Sequence, residues 1–134
     1  MNAFTRGALT LLATCATGAG ILAATAGPAA AARVPSQLAL TVAAQDGTDV
    51  SMALLTCQPA GGAHPRAAAA CATVASVNGR IASLDVDPNG ACTREYQPVT
   101  ASAVGIWEGR PVRYTETFSN RCEMLRETGP LFDF

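Results

Sequence analysis

Hydrophobic and polar residues alternate over residues 36–44, where Leu38, Leu40 and Val42 share one parity. This period of two predicts a β-strand with one buried side. Asp46-Gly47 then marks a turn, and residues 50–57 form a second run with strand character. The pattern therefore predicts two antiparallel strands joined by this turn.

The strongest supersecondary signal lies in the second half of the chain. Two strand-like runs, residues 99–107 and 111–118, flank the turn Glu108-Gly109-Arg110, which predicts a long hairpin. Parity places Val112, Tyr114 and Phe118 on one face of the hairpin. We expect Trp107, next to the turn, to pack in or at the rim of the core.

The main predicted helix covers residues 67–77, which are rich in alanine and stop at Asn78-Gly79, a helix-ending signal. Cys71, Val74 and Ala75 form its expected inner stripe. Residues 123–127 predict one more helical turn, ended by Gly129-Pro130.

The remaining segments carry weaker signals. Residues 58–66 predict a loop, because glycine and proline recur there, and we expect His64 to be an exposed residue of that loop rather than a ligand or general base. Residues 80–86 predict a short extended piece, and residues 131–134 a terminal strand with either Phe132 or its apolar neighbours facing inward.

These elements together predict an α+β fold. We expect an antiparallel sheet of about five strands, with one main helix and a short second helix packed on it.

Residues 1–32 have the composition of a secretory signal peptide. Arg6 precedes an uncharged, weakly apolar stretch, and small residues between Ala26 and Arg33 offer cleavage sites. A membrane span is the alternative, but alanine, threonine and glycine make the stretch only weakly hydrophobic. Lipidation at Cys15 is a further alternative with a poor motif match. We therefore expect cleavage to release residues 33–134 as a secreted, extracellular domain that is not attached to the membrane.

Removal of this segment leaves four cysteines, an even number in a small exported domain. Such a count predicts a disulfide framework. Three pairings are possible, and the spacing favours Cys57–Cys71 and Cys92–Cys122. No C-x-x-C motif and only one histidine occur, so we expect neither a metal site nor a cofactor. The net charge of −1 argues against a nucleic-acid partner.

Residues 89–98 combine a turn at Asn89-Gly90 with a stop at Pro98. The large polar side chains between them have no apolar periodicity. The segment therefore predicts an extended, exposed loop that is anchored at Cys92 and presents Arg94.

The sequence of this loop and of its neighbouring segments resembles the Streptomyces-type subtilisin inhibitor family. The resemblance covers essentially the whole predicted mature chain and is carried by the segments Cys92-Thr-Arg-Glu-Tyr-Gln-Pro-Val99, Gly105-Ile-Trp107-Glu-Gly109-Arg-Pro-Val112-Arg-Tyr114, Phe118-Ser-Asn-Arg-Cys-Glu-Met124, Leu40-Thr41-Val42, Leu55-Thr-Cys57, His64-Pro65, Ala70-Cys71 and Phe132-Asp-Phe134. It implies a secreted, non-enzymatic inhibitor of serine proteases, usually a homodimer formed sheet to sheet, with the same two bridges.

The resemblance also implies a reactive site, two residues after the third mature cysteine, with scissile bond Arg94–Glu95. Members directed at subtilisin often carry Met or a similar residue immediately before the scissile bond. Arg94 at that position therefore suggests trypsin-like target proteases, with subtilisin as an additional possible target. The implied contact strip comprises Ala91, Cys92, Thr93, Arg94, Glu95 and Tyr96. We hypothesise that Asn120 hydrogen-bonds the loop backbone; the alternative is that it only caps the turn before the last helix.

Two other functions compete with this interpretation. One is a cell-surface or matrix binding module that uses its sheet face and for which Arg94 would be dispensable. The other is a small secreted hydrolase that uses paired carboxylates such as Asp85 and Asp87, although these residues are more simply explained by the neighbouring turn.

Overall fold

The computed structural model describes Gly27, Pro28 and residues 34–134. Except for Gly27 and Pro28, the predicted signal peptide lies outside the described residues, as do Cys15 and the stretch considered as a membrane span. None of the helices among the described residues has the length and apolar character needed to cross a membrane.

The sheet contains five strands, all paired antiparallel: β1 (Ser36–Ala44), β2 (Val50–Cys57), β3 (Gly61–Gly62), β4 (Val99–Trp107) and β5 (Arg110–Phe118). Their spatial order is β3-β2-β1-β4-β5. Both predicted hairpins, β1–β2 and β4–β5, are therefore confirmed. The central strand β1 lies between β2 and β4, and the two hairpins join along it.

One face of the sheet forms the core, as the alternation predicts. Leu38, Leu40 and Val42 are buried, and Leu40 lies opposite Ala53 on one side and Ala103 on the other. Burial extends across β5 to Val112, Tyr114 and Phe118, and Trp107 is only 2% exposed. Burial of these apolar side chains is the main stabilising contribution to the fold.

Two α-helices pack on this face. Helix α1 (Ala67–Ser76) buries Ala70 and Val74, whereas Ala75 is exposed, so the predicted inner stripe is wrong at one position. The buried pair is four residues apart, which is also one helical face, and Cys71 lies half-buried at its edge. Helix α2 (Arg121–Thr128) has eight residues, which is longer than the single turn predicted.

Two short segments differ from the sequence-based expectation. Ile81–Ser83 and Gly129–Phe132 are 3₁₀ helices rather than extended pieces. Pro130 lies in the first turn of the second one, where its missing N–H costs no hydrogen bond, and Phe132 stacks on Tyr114. The fifth strand is instead β3, within the predicted loop, because Gly61 and Gly62 can pair closely with Thr56 and Leu55.

His64 is not the exposed loop residue that the sequence predicts. It is 5% exposed, its Nε2 lies 3.0 Å from the carbonyl oxygen of Leu131, and its Nδ1 accepts from the Arg66 N–H at 3.0 Å. Because Nδ1 accepts, Nε2 must be the donor to Leu131. Both ring nitrogens are occupied, so His64 ties the loop to the C-terminal segment.

Both favoured disulfides are present. Cys57–Cys71 joins the end of β2 to α1, and Cys92–Cys122 joins the predicted loop to α2. The α+β prediction with two helices, five strands and two bridges is thus confirmed.

Candidate functional site

The segment from Ala91 to Gln97 lies outside the regular elements, between a turn and the start of β4. All of its residues are exposed except Cys92, which is half-buried, and Tyr96 reaches 75% exposure. The structure therefore places all six residues of the predicted contact strip together in one surface loop. We call residues 91–97 the presented loop.

A covalent anchor holds the first part of the presented loop. Cys92 is bonded to Cys122 in the first turn of α2, with a Cα–Cα distance of 5.7 Å. Arg94 follows two residues later. The backbone around Arg94 therefore starts from a point that cannot move independently of α2.

Backbone hydrogen bonds hold the other end. The Gln97 N–H donates to the carbonyl oxygen of Ser119 at 2.9 Å, and the Gln45 N–H donates to that of Pro98 at 3.0 Å. The first bond links the loop to the residue after β5, and the second links it to the β1–β2 turn. The chain then enters β4 at Val99, so the far end is continuous with the sheet.

Asn120 contacts the middle of the loop from beneath. Its Nδ2 donates to the carbonyl oxygens of Thr93 at 3.1 Å and Glu95 at 2.8 Å. Its Oδ1 accepts from the Glu123 N–H at 2.9 Å, which caps α2. The residue is 7% exposed. The two roles considered for Asn120 from the sequence are thus combined in one side chain.

Arg94 and Glu95 carry the side chains at the centre of the loop. Both are exposed, and within the described part of the chain neither side chain makes a hydrogen bond or an ion pair. The Arg94 guanidinium is therefore available to a group outside this molecule. A bidentate hydrogen-bonding partner such as a carboxylate would suit its planar fork.

The segment before Cys92 is held by contacts that the sequence did not predict. The N–H groups of Val86 and Asp87 donate to the carbonyl oxygens of Glu127 and Arg126, at 3.0 Å and 2.9 Å. These bonds join main-chain groups that are far apart in sequence. Every residue carries such groups, so the residue pattern does not predict these bonds. Asp87 also begins the turn that Gly90 closes, which agrees with the turn explanation for this carboxylate.

The geometry favours recognition rather than catalysis at this site. Its hydrogen bonds hold the loop backbone in place: the Asn120 side chain binds the Thr93 and Glu95 carbonyls, and the Gln97 N–H donates to Ser119. Among the described residues, no three His, Cys, Asp or Glu side chains lie close enough to hold a metal ion. What the site offers to a partner is an exposed loop backbone and the Arg94 guanidinium, which is unpaired among the described residues.

Comparison with known proteins identifies relatives that match most of this chain. A family model described as subtilisin inhibitor-like matches residues 34–120. The chain is 44% identical over 105 residues to subtilisin inhibitor-like protein 5 of Streptomyces fradiae, covering 75% of this chain and 98% of that relative. It is 45% identical over 136 residues to a subtilisin inhibitor of Streptomyces violaceus, covering 92% of this chain and 90% of that relative.

A solved structure shares the fold. Streptomyces caespitosus sermetstatin, crystallised in complex with Bacillus licheniformis subtilisin, matches with a TM-score of 0.60 and 34% identity. The match covers 75% of this chain and 100% of that one. These relatives carry the names of protease inhibitors rather than of enzymes. The chain belongs to the subtilisin inhibitor-like family.

Proposed function

We propose that this protein is a secreted inhibitor of serine proteases that acts as a substrate which is cleaved very slowly. The presented loop enters the protease active site, with Arg94–Glu95 as the scissile bond. The observation that carries the proposal is the bridge made by Asn120, which binds one carbonyl on each side of that bond, at Thr93 and at Glu95. Sermetstatin, a relative of known structure, was crystallised with subtilisin.

Arg94 directs the inhibitor to trypsin-like enzymes. Such enzymes have an aspartate at the bottom of their primary specificity pocket, and a guanidinium pairs with a carboxylate through two parallel hydrogen bonds. The Arg94 side chain is exposed and has no hydrogen bond or ion pair to another described residue, so it can enter that pocket without breaking one. Subtilisin-type proteases, which several relatives are named for inhibiting, are a second target class.

Slow cleavage follows from the way the loop is held. A rigid loop loses little conformational entropy on binding, which favours a tight complex, and protease–inhibitor interfaces of about 1,600 Å² are among the tightest known. If the bond is cut, Cys92–Cys122 holds the new carboxyl end. The Gln97–Ser119 bond holds the new amine end. The amine stays close to the acyl group, so religation competes with hydrolysis.

The outer face of the sheet supports a homodimer. Met52, Leu54, Val104 and Ile106 are between 41% and 74% exposed there. The last three line a shallow groove of about 410 Å³. Exposed apolar patches of this kind mark interaction surfaces. Replacing Leu54 by Glu should shift the protein from dimer to monomer in sedimentation velocity, and a monomeric unaltered protein would contradict this assignment.

Residues 1–32 would direct the chain out of the cell, where the two disulfides can form. In that setting the inhibitor meets extracellular proteases. N-terminal sequencing of protein recovered from the culture medium tests this assignment.

Titration of trypsin and subtilisin with the purified protein tests the main proposal. We expect Arg94→Met to lose trypsin inhibition and to gain subtilisin inhibition, whereas Arg80→Met should leave both unchanged. Arg80 is a suitable control because it is exposed near Trp107, at the hairpin end of the sheet. No inhibition of either enzyme by the unaltered protein would overturn the proposal. Equal inhibition by Arg94→Met would show that Arg94 does not occupy the primary specificity pocket.

A further inference from the structure

Three residues at intervals of three lie along the side of α2 that faces the presented loop. Asn120 accepts from the Glu123 N–H, and the Glu123 carboxylate accepts from Nε of Arg126 at 2.9 Å. Positions three apart are neighbours on a helix surface. The row therefore leads from the middle of the presented loop to the other end of the helix.

Arg126 contacts the turn that precedes the loop. Its Nη1 lies 3.5 Å from the carbonyl oxygens of both Asp87 and Pro88. The same turn is closed by the Gly90 N–H, which donates to Asp87 at 3.1 Å. Each single contact is long for a hydrogen bond. The guanidinium charge is nevertheless attracted to both carbonyl dipoles at this distance.

The aliphatic part of Arg126 also lies against this turn. A Cβ atom added to Gly90 would lie 3.0 Å from Cγ of Arg126 and 2.5 Å from Oδ2 of Asp87. The turn and the arginine stem are therefore packed without spare room. The Asp87 N–H donates to the main-chain carbonyl of Arg126 as well, so this residue meets the turn through its backbone, stem and head group.

We propose that Arg126 is a positioning residue for inhibition, which fixes the turn at residues 87–90 and thereby the direction in which the chain reaches Cys92. The proposal rests on the proposed function, because it assigns a role in resistance to cleavage. Cys92 and the Asn120 bonds to Thr93 and Glu95 hold the loop itself, but they do not fix the chain upstream of Cys92. The turn held by Arg126 supplies a second fixed point upstream, and Glu123 orients the guanidinium that holds it.

The partial burial of the pair makes this contact effective. The side chains of Arg126 and Glu123 are 25% and 32% exposed, so the ion pair is less screened than one fully in solvent. A lysine at position 126 would lack the planar fork that contacts Glu123 and the turn at the same time. It should therefore restore the support only in part.

The test compares Arg126→Met, which keeps the aliphatic stem, with Arg126→Lys and the control Arg80→Met. Cleavage at Arg94–Glu95 by trypsin is followed by mass spectrometry, and amide exchange at Gly90 is measured in the free protein. We expect Arg126→Met to be cleaved about two- to fivefold faster and to exchange faster at Gly90. Arg126→Lys should lie in between, and Arg80→Met should match the unaltered protein.

Thermal unfolding separates positioning from general destabilisation. Arg126→Met should unfold within a few degrees of Arg80→Met. Cleavage at the unaltered rate, or faster cleavage explained by an equal loss of global stability, would overturn the role of Arg126. Failure of the unaltered protein to inhibit any serine protease would instead overturn the proposed function, so the two failures are distinguishable.

Discussion

Replacement of Asn120 by Ser should turn the inhibitor into a better substrate without removing the helix cap. Ser caps a helix about as well as Asn, but its side chain is too short to reach Thr93 and Glu95 as the Asn120 amide does. Asn120→Ala would lose the cap and both loop contacts. The pair of variants therefore separates the two roles of this residue.

The expected size follows from the two lost donors. Each hydrogen bond contributes about 1 kcal/mol net. The loss of both therefore lowers the free energy needed to release the loop from its support by about 2 kcal/mol. At 1.36 kcal/mol per factor of ten, this corresponds to a roughly 30-fold rise in the cleavage rate. Asn120→Ala should show the same rise and lose about 1 kcal/mol more stability, which lowers its Tm by about 4–8 °C relative to Asn120→Ser.

The assay incubates each variant with a catalytic amount of trypsin and measures the fraction cut at Arg94–Glu95 over time. Circular dichroism gives the Tm of each variant separately. If Asn120→Ser resists cleavage like the unaltered protein while Asn120→Ala does not, Asn120 acts only as a cap. If both variants resist cleavage, the reasoning about loop support is refuted.

Two further predictions concern the disulfides and pH. The chain-entropy model assigns about 3 kcal/mol to Cys57–Cys71 and about 3.6 kcal/mol to Cys92–Cys122, which close 14 and 30 residues. Replacing either pair by Ser should lower the denaturation midpoint similarly, but only loss of Cys92–Cys122 should speed cleavage at Arg94; equal cleavage of both would contradict this. Burial, and then the nearby Glu116 carboxylate, raise the pKa of Glu127. The folded state therefore favours the protonated carboxyl, and this contribution to stability is present at low pH and is lost as the pH rises through the raised pKa. Glu127→Gln should therefore raise Tm slightly at pH 7 and leave it unchanged near pH 3, and an equal change at both values would exclude this cause.

The strands were predictable from the sequence because their signal is local. Leu38, Leu40 and Val42 alternate with less apolar neighbours, and parity alone places them in the core. The exposed loop was also predictable, since its polar residues lie between a turn and a proline. Asn120-x-x-Glu123 has the spacing of a helix N-terminal cap, so its helix-capping role was readable as well.

What the sequence could not supply depends on contacts between distant residues. His64 is buried because Leu131, 67 residues later, offers it a carbonyl group. Gly129–Phe132 is a 3₁₀ helix rather than a strand, and this conformation lets the Phe132 ring stack on Tyr114 of β5. The Arg126 contacts go to main-chain oxygens of Asp87 and Pro88, which have the same chemistry in every residue and leave no trace in the residue pattern.

Apart from the Cys92–Cys122 bridge, the contacts that hold the presented loop are hydrogen bonds to its peptide groups. Asn120 binds the carbonyls of Thr93 and Glu95, and Ser119 binds the amide of Gln97. Among the residues that the structure describes, none forms a hydrogen bond or ion pair with a side chain of residues 93–96. The amino acids displayed there can thus be exchanged without unfolding the domain, and one framework could acquire new target enzymes through single codon changes.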